Sequence, residues 1–353
     1  MSVFQHVEFE QHEQVVFFHD ASSGLKAIVA IHDTQLGPAL GGCRMWPYES
    51  ESQAITDVLR LSKGMTYKSA LANLKLGGGK SVIIGHPRQD KSQALLEAMG
   101  RCLESLGGRY IAAEDSGTGV ADLKVMSKHT SYVAGIHDRP GLVGGRNNGD
   151  PSPATAYGVF VGLQAAVQAR FGHRSLQGLK VAIQGVGNVG YRLAQHLHAA
   201  GAQLYVSDIY PDAVAKAQAE LGATVVSSDE IASLDVDVFA PCAMGAVLND
   251  ASIQAMQAKV VAGAANNQLE RECHDRQLHE KGILYAPDFA INAGGIIDIY
   301  YERVGYDPLL VKSHVEGVSN TLSMIFERSQ VESRPTGAIA LELAKEKIRN
   351  SRA

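Results

Sequence analysis

The chain has 353 residues, 45% of them hydrophobic and 20% charged, with a formal net charge of −5. That length accommodates two domains at about 100–200 residues each, and the composition is that of a globular protein. A net acidic chain with no basic tract carries no electrostatic footprint for nucleic acid or an anionic membrane, and no apolar run approaches the ~18 residues a span requires.

The N-terminus, Met1 to His6, lacks a basic n-region and an apolar h-region, so no signal peptide is expected and the protein reads as cytoplasmic. Val15–Phe18 and Leu25–Ile31 are β-branched and aromatic runs, the signature of strands, separated by the turn-forming Asp20–Gly24. Leu36–Met45 follows, crowded with glycine and proline. It reads either as a loop or as backbone that comes close to a ligand. Ser50 and Gln53 make a capping box for a helix bearing Ile55, Val58, Leu59 and Ser62 on one face. The helix runs on into Lys63–Lys68.

Gly77-Gly78-Gly79-Lys80 then precedes the apolar run Ser81–Ile84. Glycines without side chains present the lysine to whatever fills that space, or else form a plain turn before a strand. A helix over about 91–106 carries Leu95, Met99, Cys102, Leu103 and Leu106 at helical spacing. The strand Tyr110–Ala113 ends at Glu114-Asp115, and acidic groups at the end of a strand are frequent site residues in α/β proteins. Between 137 and 153, Pro140, Gly141, Gly144, Gly145, Gly149, Pro151 and Pro153 crowd one stretch and mark a domain boundary.

Thr155–Phe171 reads as a helix in which Gly158 and Gly162 permit close packing. From Lys180 onward, strands at 180–184, 203–207, 224–226, 237–240, 259–263 and 283–285 alternate with helices at about 189–200, 211–221, 250–257 and 270–281. Such alternation predicts a doubly wound parallel sheet. Two helices, about 308–330 and 336–350, close the chain. The cysteines Cys43, Cys102, Cys242 and Cys273 have no CxxC spacing and the histidines no HExxH pattern. The thiols therefore read as reduced, and no metal site is expected.

The strand Val181–Gln184 feeds Gly185-Val186-Gly187-Asn188-Val189-Gly190, and a helical pattern follows. A GxGxxG in that context is a dinucleotide fingerprint: Gly185 makes the tight turn, Gly187 admits the pyrophosphate, and Gly190 allows helix and strand to touch. Asp208 closes the next strand. A carboxylate there accepts hydrogen bonds from ribose hydroxyls and repels a 2′-phosphate, which favours NAD over NADP. A nucleotide domain rarely brings its own acid–base groups, so Lys68, Lys80 and Asp115 are the candidates for the chemistry. Two lysines sharing one pocket repel, and burial lowers the pKa of the more buried one.

The motifs LGPALGGCRM (36–45), RLSKGMTYK (60–68), LGGGK (76–80), DPSPATAYG (150–158), QGVGNVG (184–190), APCAMG (240–245), AGAANNQL (262–269) and PDFAINAGGI (287–296) resemble those of the amino-acid dehydrogenases. More narrowly, the chain resembles leucine, valine and phenylalanine dehydrogenases along nearly its whole length. The resemblance implies an α/β protein of two domains separated by a cleft. A catalytic and oligomerisation domain over 1–145 would be joined by the C-terminal 331–353, and a Rossmann-type domain over 146–330 would bind NAD. It implies reversible oxidative deamination of an apolar L-amino acid to its 2-oxo acid and ammonia. Lys68 would hold the substrate carboxylate, Lys80 would activate water, and Asp115 would exchange protons with the amino group and with Lys80. Gly41 and Gly77–Gly79 would leave room for substrate and water. Thr155, Cys242, Ala243, Asn266 and Asn292 would line the nicotinamide and ribose. Relatives commonly form octamers or smaller assemblies, so a homo-oligomer is expected.

Leu40, Met65, Ala113, Ile296 and Ile299 would form the side-chain wall. Glutamate enzymes of the wider family carry a lysine where this chain has Leu40 and a hydroxyl residue at Ile299, so a γ-carboxylate would find no partner here. A branched-chain substrate is therefore expected, tilted toward valine, with phenylalanine dehydrogenase activity as the alternative. His86, Ala264 and Gly190 depart from the usual residues of the family without removing a proposed catalytic group. A 2-hydroxy acid dehydrogenase would leave the lysine pair unexplained, and a non-catalytic nucleotide-binding relative would not need it.

Overall fold

Three consecutive glycines rarely form a strand, yet Gly77–Ile84 is the middle strand of the first sheet. The computed structural model describes residues 3–142, 146–243 and 245–351, with Arg146 described by its backbone alone. Gly144 and Gly145 of the expected linker, Met244 of the 240–245 motif, and the terminal Met1, Ser2, Arg352 and Ala353 lie outside the described residues.

The N-terminal half runs β1 (Gln14–Asp20), β2 (Leu25–Asp33), β3 (Ala39–Trp46), α1 (Glu51–Leu71), β4 (Gly77–Ile84), α2 (Gln93–Ser105), β5 (Tyr110–Ala113) and α3 (Val120–Met126). The strands form one sheet in the order β1-β2-β4-β3-β5. β1 pairs β2 and β2 pairs β4 antiparallel, while β3 runs parallel to both β4 and β5. The Leu36–Met45 stretch is therefore largely an internal strand and not a loop. Its glycines survive in a strand because neighbouring chain fills the space their side chains would take. α1 starts where Ser50 Oγ accepts from Gln53 N at 3.3 Å and lies across β4 and β2. It comes so close that a Cβ on Gly78 would sit 2.0 Å from Thr66 N. The Gly77–Gly79 cradle thus holds helix and neighbouring chain rather than open space for substrate and water: Asp33 O stands 2.0 Å from a Cβ at Gly77, and the Tyr110 ring 2.6 Å from one at Gly79.

A small antiparallel pair, β6 (Arg139–Pro140) and β7 (Arg146–Asn147), leads to α4 (Ser152–Phe171). The second sheet comprises β8 (Lys180–Gln184), β9 (Gln203–Ser207), β10 (Thr224–Val225), β11 (Val238–Pro241), β12 (Val260–Val261) and β13 (Leu284–Tyr285). All its pairs are parallel, in the order β10-β9-β8-β11-β12-β13. Read from β8, that is the doubly wound dinucleotide-binding order, with its switch point between β8 and β11. The intervening helices are α5 (Asn188–Ala199), α6 (Pro211–Leu221), α7 (Asp250–Ala255) and α8 (Cys273–Glu280). α9 (Asp288–Ile291), α10 (Gly294–Val304), α11 (Pro308–Glu316), α12 (Val318–Glu332) and α13 (Thr336–Asn350) complete the chain. Gly317 divides the helix expected over 308–330 into α11 and α12.

Gly162 on α4 is required where Ile291 Cγ1 would lie 2.6 Å from a Cβ, so α4 seats directly on α9 and α12. The last helices also hold the end of α1. His314 Nε2 donates to Ala72 O at 2.6 Å, and Thr321 Oγ1 donates to Leu71 O at 3.3 Å. Among the described residues no helix is long and apolar enough to cross a membrane.

Candidate active site

β4 and the end of β5 bring Lys80 and Asp115 together: Lys80 Nζ donates to Asp115 Oδ2. Lys80 is buried at 5% exposure. Burial first, then the Arg44 guanidinium and the Lys68 ammonium, lowers its pKa to about 7, with Asp57 pulling the other way. Such a lysine is largely neutral above that pH and free to accept a proton. Lys68, two residues beyond the Thr66 that meets Gly78, is half-buried at the C-terminal part of α1. Desolvation lowers its pKa to about 8 against the pull of Asp288. It keeps the greater share of charge of the two.

Asp115 is fixed by more than the lysine. Its Oδ1 accepts from Ser116 N at 2.6 Å and from Arg44 Nη2 at 3.3 Å. Arg44 donates in turn to Asp57 Oδ2 at 2.8 Å, which also accepts from Tyr48 Oη at 2.5 Å. A Cβ on Gly42 would collide with Asp115 Cβ at 2.7 Å, so Gly42 is what lets the carboxylate stand beside β3. Arg44, Asp57 and Gly42 were not among the residues picked from sequence. Arg44 and Gly42 lie within the 36–45 motif, but the partners of Arg44, Asp57 and Asp115, come from 13 and 71 positions away.

The five residues expected to line the side-chain wall belong to one apolar cluster. Leu40, Ala113, Ile296 and Ile299 are each at most 5% exposed, and the partly buried Met65 packs against the same cluster. A Cβ on Gly41 would strike Gly79 O at 1.8 Å and lie 3.4 Å from Met65 Cγ, so the adjacent strand, not room for substrate, accounts for that glycine. Gly135, which sequence reasoning overlooked, sits against Ile299: its added Cβ would lie 3.7 Å from Ile299 Cδ1.

At the switch point the glycines divide their tasks. Gly185 has φ +95° and abuts Ala243, whose N would lie 2.8 Å from a Cβ there. Gly190 would strike Gly185 O at 1.9 Å, whereas a Cβ on Gly187 meets nothing within 4 Å. Gly187 therefore opens onto free space at the N-terminus of α5, followed by Asn188 and Val189, where backbone N–H groups and the helix dipole receive an anion. Asp208 braces this turn: Oδ2 accepts from Val186 N at 2.8 Å and Oδ1 from Tyr210 N at 3.0 Å. Each oxygen keeps a further lone pair for a ribose hydroxyl.

Cys242 N donates to Gln184 O at 2.7 Å, seating the Cys242–Ala243 turn beside the glycine loop. Burial raises the Cys242 thiol to about 12, so it is no nucleophile. Thr155 Oγ1 donates to Pro151 O at 2.9 Å and lies 2.5 Å from where a Cβ on Gly295 would be. Asn266 Oδ1 accepts both from Asn292 Nδ2 at 2.8 Å and from Lys68 Nζ at 3.1 Å, which joins the nucleotide side to the lysine helix. Asn292 Oδ1 and Gln184 Oε1 are buried acceptors with no partner among the described residues. Buried acceptors of this kind are satisfied when a ligand brings donors such as an amide or a hydroxyl. The open Gly187 and these acceptors fit a nicotinamide dinucleotide.

Residues 12–132 match the family model described as Glu/Leu/Phe/Val dehydrogenase, dimerisation domain. Residues 144–210 and 210–332 match that described as Glutamate/Leucine/Phenylalanine/Valine dehydrogenase. The chain is 51% identical over 352 residues to the leucine dehydrogenase of Bacillus subtilis (strain 168), covering 100% of this chain and 95% of that one. It is 47% identical over 353 residues to an L-tryptophan dehydrogenase of Nostoc punctiforme, covering 100% and 98%. The crystal structure of L-tryptophan dehydrogenase from Nostoc punctiforme superposes with a TM-score of 0.82 at 46% identity, over 97% of both chains. A hetero-hexameric glutamate dehydrogenase from Thermus thermophilus shares the fold, with a TM-score of 0.78 at 23% identity over 96% of this chain and 89% of that one.

Proposed function

The chain belongs to the Glu/Leu/Phe/Val dehydrogenase family, and from that premise we propose that it deaminates a branched-chain L-amino acid to its 2-oxo acid and ammonia, reversibly and with NAD. It is an amino-acid dehydrogenase acting on CH–NH2 donors. The observation that carries the residue assignments is the buried Lys80, lowered to about 7 and in contact with Asp115, beside the half-buried Lys68.

The nicotinamide supplies the hydride acceptor. Lys68 holds the substrate carboxylate as a charged donor. Asp115 takes a proton from the substrate ammonium, so that the amine nitrogen can form the imine as the Cα hydride leaves. Lys80, neutral, takes a proton from the water that attacks the imine carbon; Asp115 then returns its proton to the carbinolamine nitrogen, and the freed carboxylate takes the hydroxyl proton as the C–N bond breaks and ammonia leaves. The Asn266–Asn292 pair and Thr155 orient the nicotinamide end, and the Gly185–Gly190 loop receives the pyrophosphate. Leu40, Met65, Ala113, Ile296 and Ile299 surround the aliphatic side chain, which supports valine, leucine and isoleucine over glutamate. Asp208 supports NAD, because its charge meets a 2′-phosphate at close range.

We further read residues 1–145 with 331–353 as the catalytic and oligomerising unit and 146–330 as the nucleotide unit of a cytoplasmic homo-oligomer. The outer edge of β1, which pairs no other strand among the described residues, supports self-association.

The test is a panel of valine, leucine, isoleucine, phenylalanine, tryptophan and glutamate with NAD and NADP, followed in both directions. Branched-chain substrates with NAD should give the highest kcat/KM, and the reverse reaction should depend on ammonium. A preference for an aromatic substrate refutes the pocket assignment. A Lys80→Ala variant should lose at least about a hundredfold in kcat, the low end for a general base, and normal turnover would refute its role.

A further inference from the structure

Behind the pocket wall lies a buried charged cluster that the chemistry does not use. Arg139, from β6, has a side chain only 3% exposed and lies between Asp298 and Glu302 of α10, at 1% and 5%. Arg139 Nε donates to Asp298 Oδ2 at 3.2 Å, and its terminal nitrogens reach Asp298, Glu302 and, at 3.3 Å, Gly149 O. Tyr306 Oη donates to Asp298 Oδ1 at 2.6 Å. Glu302 Oε1 accepts from the backbone N of Gly135 at 2.9 Å and of Ile136 at 3.1 Å. A buried group of this kind is expensive unless fully satisfied, and its recurrent use is to specify one arrangement of the elements it joins.

What it joins is specific. Asp298 and Glu302 stand on the helix that carries Ile296 and Ile299, while Arg139 and the Gly135 amide belong to the connector between the two sheets. Gly135 is the residue against Ile299 Cδ1. Its own φ of +78° and its carbonyl, 2.4 Å from where a Cβ on Gly149 would be, leave the connector no slack. The Glu302 carboxylate therefore holds the Gly135 backbone at the wall of the pocket.

We propose that the Arg139–Asp298–Glu302 cluster, with Tyr306, is a positioning device that sets the width of the substrate side-chain pocket by clamping α10 to the connector at Gly135. The proposal rests on Ile296 and Ile299 being the pocket wall. Loosening the clamp lets α10 recede, and larger side chains gain relative to valine. Glu302→Gln replaces one acceptor oxygen by an amide nitrogen facing the Arg139 donors. Tyr306→Phe removes a single hydrogen bond and keeps every ion pair, so it serves where the first variant folds poorly.

The readout is the ratio of kcat/KM for phenylalanine to that for valine, measured beside the KM for NAD and the acid limb of the pH profile. Glu302→Gln should raise the ratio about tenfold, the low end of what one methylene of pocket space discriminates. Tyr306→Phe should move it the same way by less, with the NAD and pH readouts unchanged. Ile299→Ala is the control for the pocket itself. If Ile299→Ala leaves the ratio unchanged, the pocket reading fails. If Ile299→Ala changes the ratio and both clamp variants leave it within about twofold of wild type, the clamp is structural only and the proposal is overturned.

Discussion

Lys80 is suited to the base role proposed for it by what surrounds its ammonium once it leaves water. A fall from 10.5 to about 7 is a preference on the order of 5 kcal/mol against the charged form, and burial is its first cause. The Arg44–Asp57 pair is the adjustable part. Arg44 stands near Lys80 and lowers its pKa, while Asp57 opposes it. Asp57→Asn removes the opposing charge, so Lys80 should lose its proton more readily. In the proposed mechanism the neutral lysine is the active form, so activity should fall as pH drops through its pKa. The acid limb of kcat/KM for deamination should accordingly move to lower pH, by up to about one unit. A pH–rate profile of the variant checks this, and an upward shift contradicts it. The tuning by Arg44 and Asp57 could not be read before folding, because they stand on β3 and α1 and meet Lys80 and Asp115 only in the folded chain.

At the scale of elements, the same residue type serves opposite ends. Gly78 is a glycine because α1 presses on it, whereas Gly187 faces open space that, in the proposed function, admits a ligand. Gly78→Ala puts a Cβ 2.0 Å from Thr66 N and 2.5 Å from its Cα. Backbone cannot yield as a flexible side chain does, so the cost should exceed about 3 kcal/mol, or the protein should not fold. Gly187→Ala meets nothing within 4 Å and should leave the melting temperature within about 2 °C, while raising the KM for NAD. Thermal melts beside NAD titrations separate the two; equal loss of stability in both would refute the distinction. This is also why legibility differed between the halves. Strands 180–184 and 203–207 and helices 211–221 and 336–350 match their expected bounds, because there apolar periodicity and tertiary packing agree. Leu36–Met45 and Gly77–Gly79 read from sequence either as loop or turn or as backbone approached by a ligand, and they are largely strand instead because glycine's poor strand propensity is overridden by neighbours far along the chain. The lysines and Asp115 were legible from the motifs, but the Arg139 cluster was not, since its members show no pattern until 159 positions of sequence fold back.

Over the whole molecule, the two sheets are tied by more than the connector. Asp275 on α8 accepts from Gly337 N at 3.2 Å and Ala338 N at 2.9 Å, and Thr336 Oγ1 donates to Tyr285 O at 2.6 Å. These bonds pin the start of α13 to the nucleotide-binding sheet. The rest of α13 packs on α1, and Lys347 Nζ donates to Asn73 Oδ1 at 2.5 Å just past the end of that helix. One helix thus spans from the nucleotide sheet to the helix that bears Lys68, whose ammonium already reaches Asn266 on the nucleotide side at 3.1 Å. Hydride transfer needs its partners held about 3–3.5 Å apart, so slack in this strap should cost turnover before it costs nucleotide binding. Asp275→Ala removes a cap worth about 1–2 kcal/mol. It should lower kcat several-fold while leaving the Kd for NAD, followed by fluorescence titration, unchanged. Lys347→Ala, at the other end of the strap, should produce the same pattern with a smaller loss of melting temperature. A fall in melting temperature with kcat intact in both variants would reduce α13 to a cover over the core. A fall in kcat shared by both ends would establish it as the brace that holds the lysine helix and the cofactor in register.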